Sequence, residues 1–127
     1  MPLVRITVLR GTPPEERRAI ADGVHRALVE CAGVPADDRF QVVEQVPPED
    51  LFWDAGYLGI KRTGVVMVQV FLNQGRTVEV KAALYARIAE HLGAAGVPAG
   101  NVLVSLVEVA RENWSFGEGR MSYPPVK

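Results

Sequence analysis

Cysteine is almost missing from this chain. Cys31 is the one thiol in 127 residues, so no internal disulfide can form, and the composition fits a reducing cytoplasm. Cys31 itself reads as a small residue near the end of a helix. An excess of either charge is missing too. Lys and Arg number 14 against 15 Asp and Glu, a net charge of −1, which leaves no basic footprint for nucleic acid or an anionic membrane. Apolar runs stay far short of the roughly 20 residues that cross a bilayer. No charged-then-apolar leader opens the chain, so no secretion signal is expected. His25 and His91, the two histidines, fall inside helix-like stretches and read as solvent-facing or core-filling. Nothing resembles a zinc spacing, a phosphate loop or a Ser-His-Asp set, and Gly117-Glu118-Gly119 is a short turn without phosphate context. No metal is expected.

What is present is a repeat. Residues 33–46 read GVPADDRFQVVEQV and residues 96–109 read GVPAGNVLVSLVEV. The same offset sets 2–9 (PLVRITVL) against 65–72 (VVMVQVFL), and the helix-like stretch 13–31 against 76–94. The chain therefore reads as a single domain, 1–127, of two β-α-β units at about 2–46 and 65–109. A turn-rich segment, 47–64, joins them, and a loop segment, 110–127, closes the chain. The fold class is α+β, a four-stranded mixed sheet with two helices on one face.

Local signals mark the ends of the elements. Thr12, Pro13, Pro14 and Glu15 read as N-cap, early proline and capping-box acid of the first helix. Ile20, Val24, Ala27, Leu28 and Cys31 recur at helical spacing, and Gly33 stops the helix. A second helix is expected from about Thr77 to Leu92, with Val80, Ala83, Leu84, Ile88 and Leu92 on one face. VVMVQVFL and VLVSLVEV are apolar at nearly every position, as strands buried on both faces are. Two helices cover one face, so self-association is the economical cover for the other.

Topology then brings three groups to one edge. In a parallel pair both strands start at the same rim, which sets Pro2 beside Asp37 and Asp38. A pseudo-twofold between the units returns the 65–72 strand to that rim, with Asn73, Gln74, Gly75 and Arg76 at its end. If Met1 is removed, Pro2 carries a secondary amine on a strand head, near a carboxylate and a guanidinium beside a helix N-terminus that favours an anion.

Pro2 at a strand head, the QGRT turn (Gln74–Thr77), GVPADDRFQ and the late NWSFGEGR (Asn113–Arg120) together resemble the tautomerase superfamily. The length and the last two motifs are similar to its malonate semialdehyde decarboxylase branch. The resemblance covers most of the chain, and it implies a trimer with a post-Met proline amine as the catalytic group and no cofactor. By motif matching, Pro2, Asp38 and Arg76 fall on catalytic or carboxylate-binding positions, and Trp114 and Phe116 fall in the pocket wall. One position departs: the branch carries two arginines separated by one residue, and here the first is Gln74. A fork of charged donors becomes one guanidinium plus a neutral amide.

An α-amino group titrates at about 7.7–8.0 in the open. Burial and Arg76 push it down, and Asp38 pushes it up. As a base it lifts a proton alpha to a carbonyl and returns it elsewhere on the enol system. As an acid it polarises a carbonyl while Asp38 orients water or a leaving group, and as a nucleophile it forms an iminium. Asp38 has a second reading as a cap of the turn behind Pro35, and Arg76 as a ligand-free helix-start residue. The expected function is keto–enol tautomerisation of a small 2-oxo or 3-oxo acid, with Arg76 holding the carboxylate and Gln74 assisting. The alternatives are decarboxylation or hydration, and a trimeric binding module without chemistry.

Overall fold

Along β1 (Leu3–Leu9) the side chains alternate as a pleated strand requires: Val4, Ile6 and Val8 are buried while Leu3, Arg5 and Leu9 face outward. The computed structural model describes residues 2–125. After β1 come α1 (Pro14–Ala32), β2 (Gln41–Val46), β3 (Val66–Asn73), α2 (Val78–Ala94) and β4 (Val102–Val109). Moved along by 63 positions, the first unit falls on the second, with ends displaced by at most two residues.

The strands form one sheet in the order β2-β1-β3-β4. β1 runs parallel to β2, with Val4 opposite Gln41, and antiparallel to β3, with Leu3 opposite Phe71. β3 and β4 are again parallel, with Val66 opposite Val102. Each parallel pair is bridged by its helix, and the reversal between β1 and β3 relates the two units. The head of β1, the start of β2 and the ends of β3 and β4 therefore meet at one rim. Residues 110–125 leave the sheet from that same rim.

Both helices lie on one face. Pro14 opens α1 with Glu15 and Glu16 in its first turn, where carboxylates complement the helix dipole. Gly33 ends it in the left-handed region, φ 70°, which glycine adopts without a Cβ penalty. Ile20, Val24, Leu28, Leu84, Ile88 and Leu92 are at most 1% exposed and pack on Val4, Ile6, Val68 and Val70. Each such side chain contributes about 1.5–3 kcal/mol relative to exposure. No helix among the described residues is long and apolar enough to cross a membrane.

One sequence expectation changes. Thr12 does not cap α1: Pro13 occupies the cap position without a side-chain bond, and the Thr12 hydroxyl instead donates to Leu9 O at 2.7 Å. The consecutive prolines move the helix start one residue on. Thr77 does cap α2, accepting from Val80 N at 3.2 Å. The second sheet face is open within one chain, as the expectation of self-association requires. On the face away from the helices Leu3, Leu9, Val42 and Leu103 are 37–48% exposed, because no element of this chain lies over them. The joining segment 47–64 folds into two short 3-10 turns, Pro48–Asp50 and Tyr57–Gly59. It approaches the second unit so closely that a Cβ on Gly100 would stand 2.6 Å from Lys61 O.

Two predictions follow from the helix pair. Thr77→Ala lowers stability by about 1 kcal/mol in urea unfolding, and Thr12→Ala by less than about half that, because only the former loses a cap. Across the helix interface His91 hydrogen-bonds Glu30 at 2.5 Å. That bond foremost, with the charges of His91, Arg87 and Arg26, holds the Glu30 carboxyl below its ordinary value, while desolvation opposes it. A depressed carboxyl stabilises the fold above its ordinary range and stops doing so as pH falls through the lowered folded value. The Tm difference between the parent and Glu30→Gln, measured against pH, should be largest near neutrality and shrink below about pH 4.

Candidate active site

The rim is organised by strand register. Pro2 is buried. Continuing the β2 pairing by two residues and the β3 pairing by one sets it opposite Arg39 and Leu72. Val4 N donates to Phe40 O at 3.0 Å, so the pairing already holds one step before β2 begins. Loss of Met1 concerns a residue outside the described ones.

The turn carrying Asp37 and Asp38 is stitched to α1. Asp38 N donates to Pro35 O at 3.0 Å, and the buried His25 places Nε2 2.9 Å from Ala36 O. Arg39 donates to Asp22 Oδ1 at 2.7 Å and to Gln41 Oε1 at 2.9 Å, and Gln41 Nε2 donates to Ala21 O at 2.9 Å. These bonds fix the turn that presents Asp38, which is half-buried, while Asp37 is exposed.

On the opposite side β3 ends in the Gln74–Arg76 turn. Gly75 takes φ 116°, which an L side chain rarely adopts, and its N–H donates to Glu108 Oε2 at 3.2 Å. Lys81 donates to the other oxygen of Glu108 at 2.7 Å. The Lys81 bond foremost, then the Gly75 N–H, keep the Glu108 carboxyl below its ordinary value. The Arg76 side chain turns toward the helix layer. Nε and Nη2 donate to Ala32 O at 3.1 and 2.8 Å, and Nη1 donates to Asn73 O at 3.1 Å. Ala32 is the last residue of α1, so a cation satisfies a carbonyl the helix leaves unpaired and sits at the negative end of its dipole. Burial lowers the Arg76 pKa, and the Glu108 charge pulls the other way. A guanidinium stays a cation regardless. Gln74 is exposed and its N–H donates to Val109 O at 2.9 Å.

The segment after β4 builds a wall over the rim. Trp114 stacks on Phe116 with centroids 5.1 Å apart and planes 13° from parallel. Phe116 meets Phe40 at 5.4 Å and Tyr123 edge-on at 6.0 Å. Phe116 N donates to Ser122 Oγ at 2.8 Å, and Ser122 N to Trp114 O at 3.0 Å, which closes the loop on itself. Two adjoining clefts result. One, of about 280 Å³, is lined by Asp37, Asp38, Phe40, Phe116 and Tyr123. The other, of about 240 Å³, is lined by Leu3, Phe40, Trp114, Ser115 and Phe116. Each is smaller than the roughly 300–1,000 Å³ of drug-sized sites, a size for a small acid. Among the described residues no group of three or more His, Cys, Asp or Glu side chains could hold a metal ion.

The structure thus brings Pro2, Asp38, Trp114 and Phe116 to one rim. Arg76 and Gln74 reach the same rim through their backbone turn, but Arg76 faces Ala32 and neither side chain lines these two clefts. Tyr123 lies in none of the sequence motifs, and Phe40 lies within GVPADDRFQ without a role assigned to it there. Phe40 stands two residues on from Asp38, immediately before β2.

The comparisons with known proteins agree with this architecture. A family model described as tautomerase enzyme matches residues 38–117, and a second of the same description matches residues 2–56. The probable tautomerase YusQ of Bacillus subtilis is 35% identical, covering 94% of this chain and 96% of that one. A crystal structure of malonate semialdehyde decarboxylase inhibited by 3-bromopropiolate is 42% identical with a TM-score of 0.91, covering 95% of this chain and 93% of that one. A fused 4-OT described as a symmetric trimer is 25% identical with a TM-score of 0.79, covering 94% and 95%. Matched in both halves and aligned nearly end to end, the chain belongs to the tautomerase family and resembles its malonate semialdehyde decarboxylase branch.

Proposed function

We propose that this chain is a cofactor-free keto–enol tautomerase for a small 2-oxo or 3-oxo carboxylic acid, with the Pro2 amine, freed by loss of Met1, as the group that moves the proton. The observation that carries this reading is the burial of Pro2 at the head of β1, between the Asp38 turn and the end of β3, next to Leu3, which lines the cleft under Trp114 and Phe116. An amine anchored there as free base takes the proton of an enol O–H, and the same proton delivered to carbon gives the keto acid. Three of the five guanidinium N–H groups of Arg76 are spent on Ala32 and Asn73. The remaining two hold the substrate carboxylate, with the Gln74 amide assisting. Trp114 and Phe116 wall the site and exclude water.

A second reading, decarboxylation or hydration of a three-carbon oxo or unsaturated acid, is favoured by the half-buried Asp38 in the 280 Å³ cleft and by the 42% identical decarboxylase. Here the amine acts as an ammonium acid and Asp38 orients water. In either case the assembly is a homotrimer. The uncovered sheet face with Leu3, Val42 and Leu103 needs a partner, and the fused 4-OT relative is a trimer.

The purified protein should lack Met1 by intact mass, convert the enol of phenylpyruvate, and lose about 10²-fold in kcat/KM on Pro2→Ala, the scale of a positioned acid–base group. Exclusive turnover of malonate semialdehyde would reverse the ranking of the two readings. Retained Met1 would block the amine and leave a trimeric binding module.

A further inference from the structure

Burying an amide side chain costs free energy unless its polar atoms are paired. Among the described residues only His25 and Asn73 are buried polar side chains, and Asn73 is 4% exposed. It stands at the last position of β3, on the rim where Pro2 heads the neighbouring strand. Its Oδ1 accepts the Trp114 indole N–H at 2.7 Å, a bond spanning 41 residues. An indole nitrogen only donates, so this partner fixes which end of the Asn73 amide faces the wall.

We propose that Asn73 is a positioning residue of the active site, latching the Trp114–Tyr123 segment over the Pro2 rim through the Trp114 indole; this rests on the tautomerase reading above for its effect on turnover. Residues 110–125 contain no strand and only one short 3-10 turn, Arg111–Asn113. The hydrogen bonds that shape the segment are internal: Asn113 N to Ala110 O, Phe116 N to Ser122 Oγ, Arg120 N to Gly117 O and Ser122 N to Trp114 O. Such bonds give the loop its form without setting where it sits on the sheet. The Asn73–Trp114 bond does set it. Because Trp114 stacks on Phe116, and Phe116 contacts Tyr123, one latch registers the segment's three rings against Phe40, which the sheet holds. Asn73 also accepts the Arg76 guanidinium at its backbone carbonyl. The same residue therefore joins the wall to the turn proposed to hold the substrate carboxylate. It touches no substrate; it acts through Trp114.

The test uses the full-length protein in a Trp53→Phe background, which leaves Trp114 as the one tryptophan. Asn73→Leu keeps the volume and removes the acceptor, and Trp114→Phe keeps a ring and removes the donor. With the enol of phenylpyruvate as probe, each single change should lower kcat/KM about tenfold, mainly through KM. The double variant should be no worse than the poorer single, since both delete one bond. In Asn73→Leu the Trp114 emission should shift to the red and become more open to acrylamide. Unchanged emission, an unchanged KM in either single variant, or an additive loss of about hundredfold in the double would overturn the latch. If Asn73→Leu does not fold, Trp114→Phe reads the same bond from the tail. If the parent does not turn over the enol, the tautomerase reading falls while the emission of Trp114 alone still decides whether Asn73 holds the wall.

Discussion

β1 is paired on both edges with opposite polarity, parallel to β2 and antiparallel to β3, and every other feature of the rim depends on that double pairing. Val4, Ile6 and Val8 sit at 1% exposure or less against the helices, so the strand cannot slip by one residue without turning its core side chains outward. A register held so firmly also fixes what precedes it. Pro2 continues the inward-facing series of the strand and is carried into the structure rather than left on a free end. The same pairing decides which turns flank it, since a parallel neighbour begins where β1 begins and an antiparallel neighbour ends there.

The polar chemistry at the rim is largely engaged in holding that arrangement. Arg76 ties the turn after β3 to the last carbonyl of α1, joining the second repeat to the first. Glu108 fixes Gly75 and takes Lys81 from α2. Hydrogen bonds from His25, Arg39 and Gln41 fasten the Asp38 turn to α1. Such hydrogen bonds set the turns in place before any ligand arrives, the preorganisation that the proposed proton transfer by Pro2 calls for. A guanidinium with part of its fork already used grips a carboxylate through fewer donors than a free pair of arginines would, and the neutral Gln74 does not restore the lost charge.

Much of this architecture was legible in the residues. The GVPA repeat, the helical spacing of Ile20, Val24 and Leu28, and the strand-like run around Val68 and Val70 define two like units, and the rule that β-α-β strands run parallel brings Pro2, Asp38 and the Arg76 turn to one edge. The one departure is local. Thr12 has the chemistry of a cap, yet two prolines shifted the helix start and left its hydroxyl on Leu9. The 65–72 and 102–109 strands look doubly buried from composition, and the sheet face left open in a single chain is the one that self-association was expected to cover.

What the sequence by itself determined is whatever burial and local geometry repeat along the chain: element types, their boundaries to within a few residues, the faces that enter the core, and the edge where the chemistry gathers. Only the tertiary structure decided that Arg76 would turn to Ala32, 44 residues away, that Trp114 would find Asn73 across 41, and that Phe40, Phe116 and Tyr123 would close one wall. Periodicity reports which side of a strand or helix avoids water. It carries no record of which distant donor meets which acceptor, because that choice is made by the packing that brings two remote segments to the same place.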